Sequence, residues 1–136
     1  MSDFVLDASL ALQWFLEDET DRKYSLEVLA SLSENRALVP VLWFYEVGNG
    51  LLMAHRRKRI SLDQIDGFLS RLKSLPIDTA QQSPIEILEL SALARAQGLT
   101  IYDASYLAIA MKSNSILATS DNALKRAAAS TGVKIF

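Results

Sequence analysis

The chain has 136 residues, half of them hydrophobic, and a formal net charge of −2 from 14 Lys and Arg against 16 Asp and Glu. That length supports one buried core and not two, so a single domain over residues 1–136 is expected. With no cysteine present, disulfides, thiolate metal sites and cysteine nucleophiles are excluded, and the slightly negative balance excludes a surface that grips nucleic acid by overall charge.

Taken in chain order, Met1-Ser2-Asp3 carries an acid where a secretion signal carries basic residues, and no apolar run approaches the roughly 20 residues of a membrane span. A cytoplasmic setting without membrane contact is expected. Phe4-Val5-Leu6 reads as a short buried strand ending at Asp7, and Leu10, Leu12, Trp14, Phe15 and Leu16 then recur at helical spacing. A second helix is predicted from Asp21 to Ser33 with Thr20 as its cap, then a strand at Ala37-Leu38-Val39 stopped by Pro40. From Leu42 to Arg57 the stripe Trp43, Val47, Leu51, Leu52 is helical. Gly48 and Gly50 within it cost about 1 kcal/mol each against alanine, which signals close packing or tolerated strain. His55-Arg56-Arg57-Lys58-Arg59 is a cationic run that suits either a solvated helix end or a rim touching RNA, with His55 expected at the surface.

Ser61-Leu62-Asp63-Gln64 opens a helix through Ile65, Phe68 and Leu72, Pro76-Ile77-Asp78 is a brief strand, and Ser83-Pro84-Ile85-Glu86 starts a helix that ends at Gly98. Thr100 to Asp103 begins a helix running to Met111 with almost no polar face, expected to be buried. Ser115 to Thr119 is a strand, Asp121 to Ala129 a helix stopped at Gly132, and Val133 to Phe136 a final strand. Short apolar strands alternating with helices, with no hairpin turn between strands, predict an α/β fold: a three-layer α/β/α sandwich around a mostly parallel sheet.

In open parallel sheets ligands bind at the carboxyl ends of strands. Asp7 follows the first strand directly and Asp121 follows the fourth by three residues, while Glu46 and Asp103 lie near helix starts that this topology can aim at the same edge. Each has a plainer explanation: Asp103 complementing a helix dipole, Asp121 capping its helix. Glu46 resists one, because it interrupts the apolar stretch Trp43 to Val47, where an unpaired carboxylate costs several kcal/mol. A cation removes that cost. Oxygen-only donors suit Mg2+, or Mn2+, and the single histidine rules out a paired-imidazole ribonuclease mechanism, leaving metal-activated water as nucleophile for a phosphodiester.

The segments Val5-Leu6-Asp7-Ala8-Ser9, Tyr45-Glu46-Val47-Gly48-Asn49, Tyr102-Asp103-Ala104-Ser105-Tyr106-Leu107-Ala108-Ile109-Ala110 and Leu117-Ala118-Thr119-Ser120-Asp121 together resemble a PIN domain, and within that family the VapC-type toxins of prokaryotic toxin–antitoxin pairs. The resemblance runs over essentially the whole chain. It implies a Mg2+-dependent endoribonuclease whose acidic quartet is matched by Asp7, Glu46, Asp103 and Asp121, with Asp7 and Asp103 first in line for direct metal contact. Ser9, Asn49 and Thr119 match positions that shape the site, and Asn122 adds a polar group beside the fourth acid. Arg56, Arg57, Lys58 and Arg59 are candidate RNA contacts. A homodimer and a small antitoxin that inhibits through the active-site groove are also implied; Trp14, Phe15, Trp43, Phe44 and Tyr45 suit such interfaces or, by spacing alone, the core.

Two other readings stay open at this level. Asp7 could form an aspartyl-phosphate in a phosphotransferase or phosphatase, although Asp7-Ala8-Ser9 lacks a second acid two residues on. The same groove could instead hold RNA or peptide without cutting it, which an uncompensated acidic cleft disfavours.

Overall fold

The computed structural model describes residues 3–136. Its elements in order are β1 (Asp3–Leu6), α1 (Ala8–Phe15), α2 (Lys23–Ser31), β2 (Arg36–Val39), α3 (Leu42–Arg56), α4 (Leu62–Lys73), β3 (Ile77–Thr79), α5 (Pro84–Gln97), α6 (Ile101–Ser113), β4 (Ile116–Ala118) and α7 (Asn122–Thr131). The strands form one parallel sheet in the order β3-β2-β1-β4, with Val5 paired to both Leu38 and Leu117.

That order dictates the layers. From β1 to β2 to β3 the chain steps in one direction, and right-handed crossovers put α1 to α4 on one face. The step from β3 to β4 reverses direction and leaps past β1, so the same handedness puts α5 and α6 on the opposite face. Packing agrees: α1 lies against α2 and α3, whereas α6 lies against α5, α7 and strands β1, β2 and β4. The expected three-layer α/β/α sandwich results, and the sheet between the layers reads as continuous apolar runs because both its faces are covered. Phe4, Val5, Leu6, Trp43, Leu51, Tyr106, Leu107 and Leu117 are fully or almost fully buried at its centre.

Helix starts at α4 and α5 follow the sequence closely. Ser61 and Ser83 each accept from the third residue of the helix, and Gln64 and Glu86 reach back to close both capping boxes. Elsewhere the expectations need correction. The second helix does not begin at Asp21 under a Thr20 cap. Asp21 lies in the left-handed region at φ 58°, and Arg22 directs Nε and Nη2 to the carbonyls of Gln13 and Trp14, closing the end of α1 before α2 begins at Lys23. Helix α6 is buried over Ala104 to Leu107 and at Ile109 and Ala110, but Ile101, Tyr102 and Met111 are exposed.

The predicted strand Val133 to Phe136 contracts to a single parallel bridge between Ile135 and Leu117. Leu117 exchanges both backbone hydrogen bonds with this segment, but the ladder cannot extend. Ser115 N–H bonds Ala110 and Thr119 N–H bonds the Tyr24 hydroxyl, so the next donors on that edge of β4 are already committed.

The five aromatic candidates divide. Trp14, Phe15 and Trp43 are core, whereas Phe44 and Tyr45 are exposed, Tyr45 by 71%. His55, expected at the surface, is half-buried, with Nδ1 3.0 Å from the Ile60 carbonyl.

Candidate active site

The sheet order places its topological switch between β1 and β4, where the chain has moved outward on one side and returned on the other; an open α/β sheet forms a crevice there. Asp7 and Asp121 leave the carboxyl ends of these two neighbouring strands, and the Asp7 N–H bonds the Ala118 carbonyl at 3.0 Å, stitching the strand ends together.

Asp7 occupies the N-cap position of α1 but makes no capping hydrogen bond. Its Oδ2 instead accepts from the hydroxyls of Thr119, at 2.7 Å, and Ser9, at 2.9 Å. Thr119 is fully buried and serves two acids, since its Oγ1 also accepts the Asp121 N–H at 3.0 Å. Asp121 does cap, its Oδ1 accepting from Leu124 N–H at 2.8 Å. Ser9 and Ser120 hydroxyls stand 3.4 Å apart across the strand ends.

The other two acids come from helices on opposite faces of the sheet. Glu46 lies in the second turn of α3, half-buried, and its Oε1 accepts the Tyr106 hydroxyl at 2.7 Å. Asp103 is the third residue of α6, with its N–H donated to Thr100 Oγ1. This is the position from which Gln64 and Glu86 complete capping boxes in α4 and α5, yet Asp103 closes none. Asp103 still complements the dipole of α6 from its first turn, but no backbone donor of the helix start engages its carboxylate.

Electrostatics ties the four together. Burial, opposed by the Thr119 and Ser9 hydroxyls and reinforced by the charge of Asp121, pushes the Asp7 carboxyl above its ordinary range. Burial raises Glu46 as well, against the pull of Tyr106 and with the charges of Asp7 and Asp103 behind it. Asp103 rises through burial and then through Asp121 and Asp7. Each of these three carboxylates therefore feels at least one other member of the quartet, and no positive side chain acts on any of them.

Such a cluster lacks a counter-charge, and its all-oxygen donors fit a hard divalent cation. Among the described residues, however, no three acidic or histidine side chains are arranged to hold one ion directly. Magnesium accommodates this, because it keeps several of its waters and needs only one or two carboxylates in direct contact. Asp7, whose Oδ1 is not used by the hydroxyl bonds, and Asp103 are the candidates for contact, with Glu46 and Asp121 reaching through water.

The pattern of the PIN domain family matches residues 4–130. The chain belongs to the PIN domain family. PIN domains are in general nucleases that use divalent metal. No curated protein matches this PIN domain significantly. Among solved structures it is similar to PAE2754 from Pyrobaculum aerophilum, with 24% identity, a TM-score of 0.68 and coverage of 90% of this chain and 82% of that one. It is also similar to VapBC2 from Rickettsia felis, solved bound to a DNA fragment from its promoter, at 18% identity and TM-score 0.64 over 100% of this chain and 98% of that one. FitAcB from Neisseria gonorrhoeae gives 16%, 0.65, 100% and 96%. These likenesses establish the shared fold.

The remaining candidates lie at varied distances from the acids. Asn49, one turn beyond Glu46, and Asn122, at the start of α7, are exposed and make no side-chain hydrogen bond among the described residues. The cationic run sits at the far end of α3, about 15 Å from Glu46 at 1.5 Å per residue. Arg56, Arg57 and Lys58 are exposed there, but Arg59 forms a bidentate pair with Asp18 and a further bond to Glu19. Sequence reading missed Tyr106 and Tyr24, whose hydroxyls meet Glu46 and Thr119 N–H. The spacing of Tyr106 three residues after Asp103, and so on nearly the same side of the helix, was the available signal.

No helix among the described residues is long and apolar enough to cross a membrane.

Proposed function

We propose that this PIN domain is a Mg2+-dependent endoribonuclease, with Mn2+ a possible substitute, acting in the cytoplasm as the toxin of a type II toxin–antitoxin pair. The observation that carries the reading is the group of Asp7, Glu46 and Asp103, raised together by burial and by the acids around them, at the switch point of the sheet. A buried cluster of this kind, uncompensated within the chain, is what a cation-dependent site requires when its ion is absent.

When bound, the ion would neutralise charge on the scissile phosphate and lower the pKa of a water held against it. Asp7 and Asp103 would fix the ion, and Glu46 and Asp121 would orient its waters. Ser9 and Thr119 hold Asp7 by hydroxyl bonds on Oδ2, and Oδ1 would be the oxygen that meets the ion. Attack of water on phosphorus with departure of the 3′ oxygen gives a 5′-phosphate and a 3′-hydroxyl. Asn49 and Asn122, both exposed, would donate to phosphate or ribose. Arg56, Arg57 and Lys58 would meet the RNA backbone several nucleotides away, and Arg59 would join them only by leaving Asp18 and Glu19.

Two solved structures in the same fold are named for toxin–antitoxin assemblies, VapBC2 and FitAcB, which supports a small antitoxin occupying the groove. Exposed Ile85 and Leu88 on α5 and Phe44 and Tyr45 on α3 favour a second copy as a further partner, a homodimer that light scattering at a single-chain mass would remove.

Incubation with end-labelled RNA tests the reaction directly. Cleavage should require Mg2+, stop on addition of EDTA, leave 5′-phosphates, and vanish in Asp7→Asn or Asp103→Asn. Cutting that persists in chelator would discard the scheme.

A further inference from the structure

The bond between Tyr106 and Glu46 has no structural necessity on the α6 side. Tyr106 is completely buried, and its ring packs in the core beside Leu107 and Ala110. A phenylalanine would fill the same space without carrying an oxygen into an apolar layer, where a hydroxyl lacking a partner costs about 1–3 kcal/mol. The hydroxyl does have a partner, 60 residues away on the opposite helical layer, in Glu46 Oε1 at 2.7 Å. Glu46 receives no other side-chain hydrogen bond among the described residues, so this contact alone fixes the direction of its carboxylate.

We propose that Tyr106 is a positioning residue of the metal site, holding Glu46 by Oε1 so that Oε2 is presented to the ion or to its water. This rests on the functional reading above and deepens it. Tyr106 lies three residues after Asp103 on α6, so one rigid helix carries Asp103 and also sets where Glu46, on α3, stands relative to it. The phenol is a neutral donor whose pKa burial and the neighbouring Glu46 and Asp7 carboxylates push further up from its ordinary value.

The test is Mn2+ binding to the full chain, followed by the loss of the free-ion electron paramagnetic resonance signal. Tyr106→Phe should weaken Mn2+ binding about tenfold, the lower end of the loss seen when a residue supporting a metal ligand is removed. Glu46→Gln should weaken it at least as much, and the double variant should bind no more weakly than Glu46→Gln alone, because the one side chain the phenol bonds is that carboxylate, its other contact being the Ala8 backbone N–H. Equal Mn2+ affinity of wild type and Tyr106→Phe, or strictly additive losses in the double variant, overturns the proposal while leaving the metal site in place. A wild-type chain that takes up no Mn2+ overturns the functional reading and this proposal with it. Should Tyr106→Phe fail to fold, its role is core packing and the proposal falls.

Discussion

Asp7 carries a conflict that folding creates and does not resolve. Its carboxylate is buried beside other acids and accepts two hydroxyl bonds, and its pKa still lies above the ordinary value of 3.8. A native pKa above the unfolded one means that the folded chain holds a proton the unfolded chain has released, so the stability of that arrangement is complete below about pH 4 and lost as pH rises through the native pKa. Asp7→Asn removes the charge and keeps an acceptor for Thr119 and Ser9. In EDTA near neutral pH it should therefore melt several degrees higher than wild type, while losing Mg2+-dependent cleavage. A lower melting temperature would assign Asp7 a purely structural role.

Asp121 behaves differently because it also caps α7. Asparagine caps about as well, so Asp121→Asn should keep its melting temperature and lose activity, whereas Asp121→Ala should lose activity and about 1 kcal/mol of stability in urea unfolding. Equal stabilities of the two variants would show that the cap contributes nothing. Both acids stood out in the sequence because Asp7 directly follows a recognisable apolar strand and Asp121 comes shortly after another. Tyr106 was not: Ser105-Tyr106-Leu107 reads as core, and core it is except for one oxygen whose partner lies 60 residues away.

At the level of elements, the helix α3 shows how the sequence can pose a question that only packing answers. Gly48 and Gly50 look equivalent as weak points in a helix. A Cβ on Gly48 would meet nothing within 4 Å, but one on Gly50 would come within 2.6 Å of both Leu12 methyl carbons, where α1 crosses α3. Alanine at Gly48 should stabilise by up to about 1 kcal/mol through helix propensity alone. At Gly50 the displaced Leu12 side chain offsets that gain, and Gly50→Ala should be less stable than Gly48→Ala by about 1–2 kcal/mol in urea titrations. The reverse order would mean that α1 moves away at no cost. Capping boxes at Ser61 and Ser83 were readable because their partners are three residues on. The start of α2 and the fate of residues 133–136 were not, since the first depends on Arg22 reaching back to α1 and the second on Tyr24 and Ala110 claiming the donors of β4.

For the molecule as a whole, the strand order decides function before any side chain does. By reversing direction after β3 the chain puts its switch point between β1 and β4, and acids from two strand ends and from helices on opposite faces come near enough to feel one another's charge. Parallel alternation of strands and helices, legible throughout, predicted the layers; which strands are neighbours was not legible, because it depends on contacts far apart in sequence. The resulting site makes the bare protein oppose its own fold. Asp18 and Glu86 have lowered pKa values through Arg59 and Lys112, so the stability they provide is already complete above about pH 5.5. Asp7, Glu46 and Asp103 are shifted the other way, so folding favours their protonated forms and that contribution is lost as pH rises through their native pKa values.

The most direct measurement is therefore the melting temperature from about pH 5.5 to 8, in EDTA and in excess Mg2+. The account predicts a fall with rising pH in EDTA, a Mg2+-induced increase that grows over the same range, and loss of most of that increase in Asp7→Asn. Melting temperatures that ignore Mg2+ at every pH would contradict it.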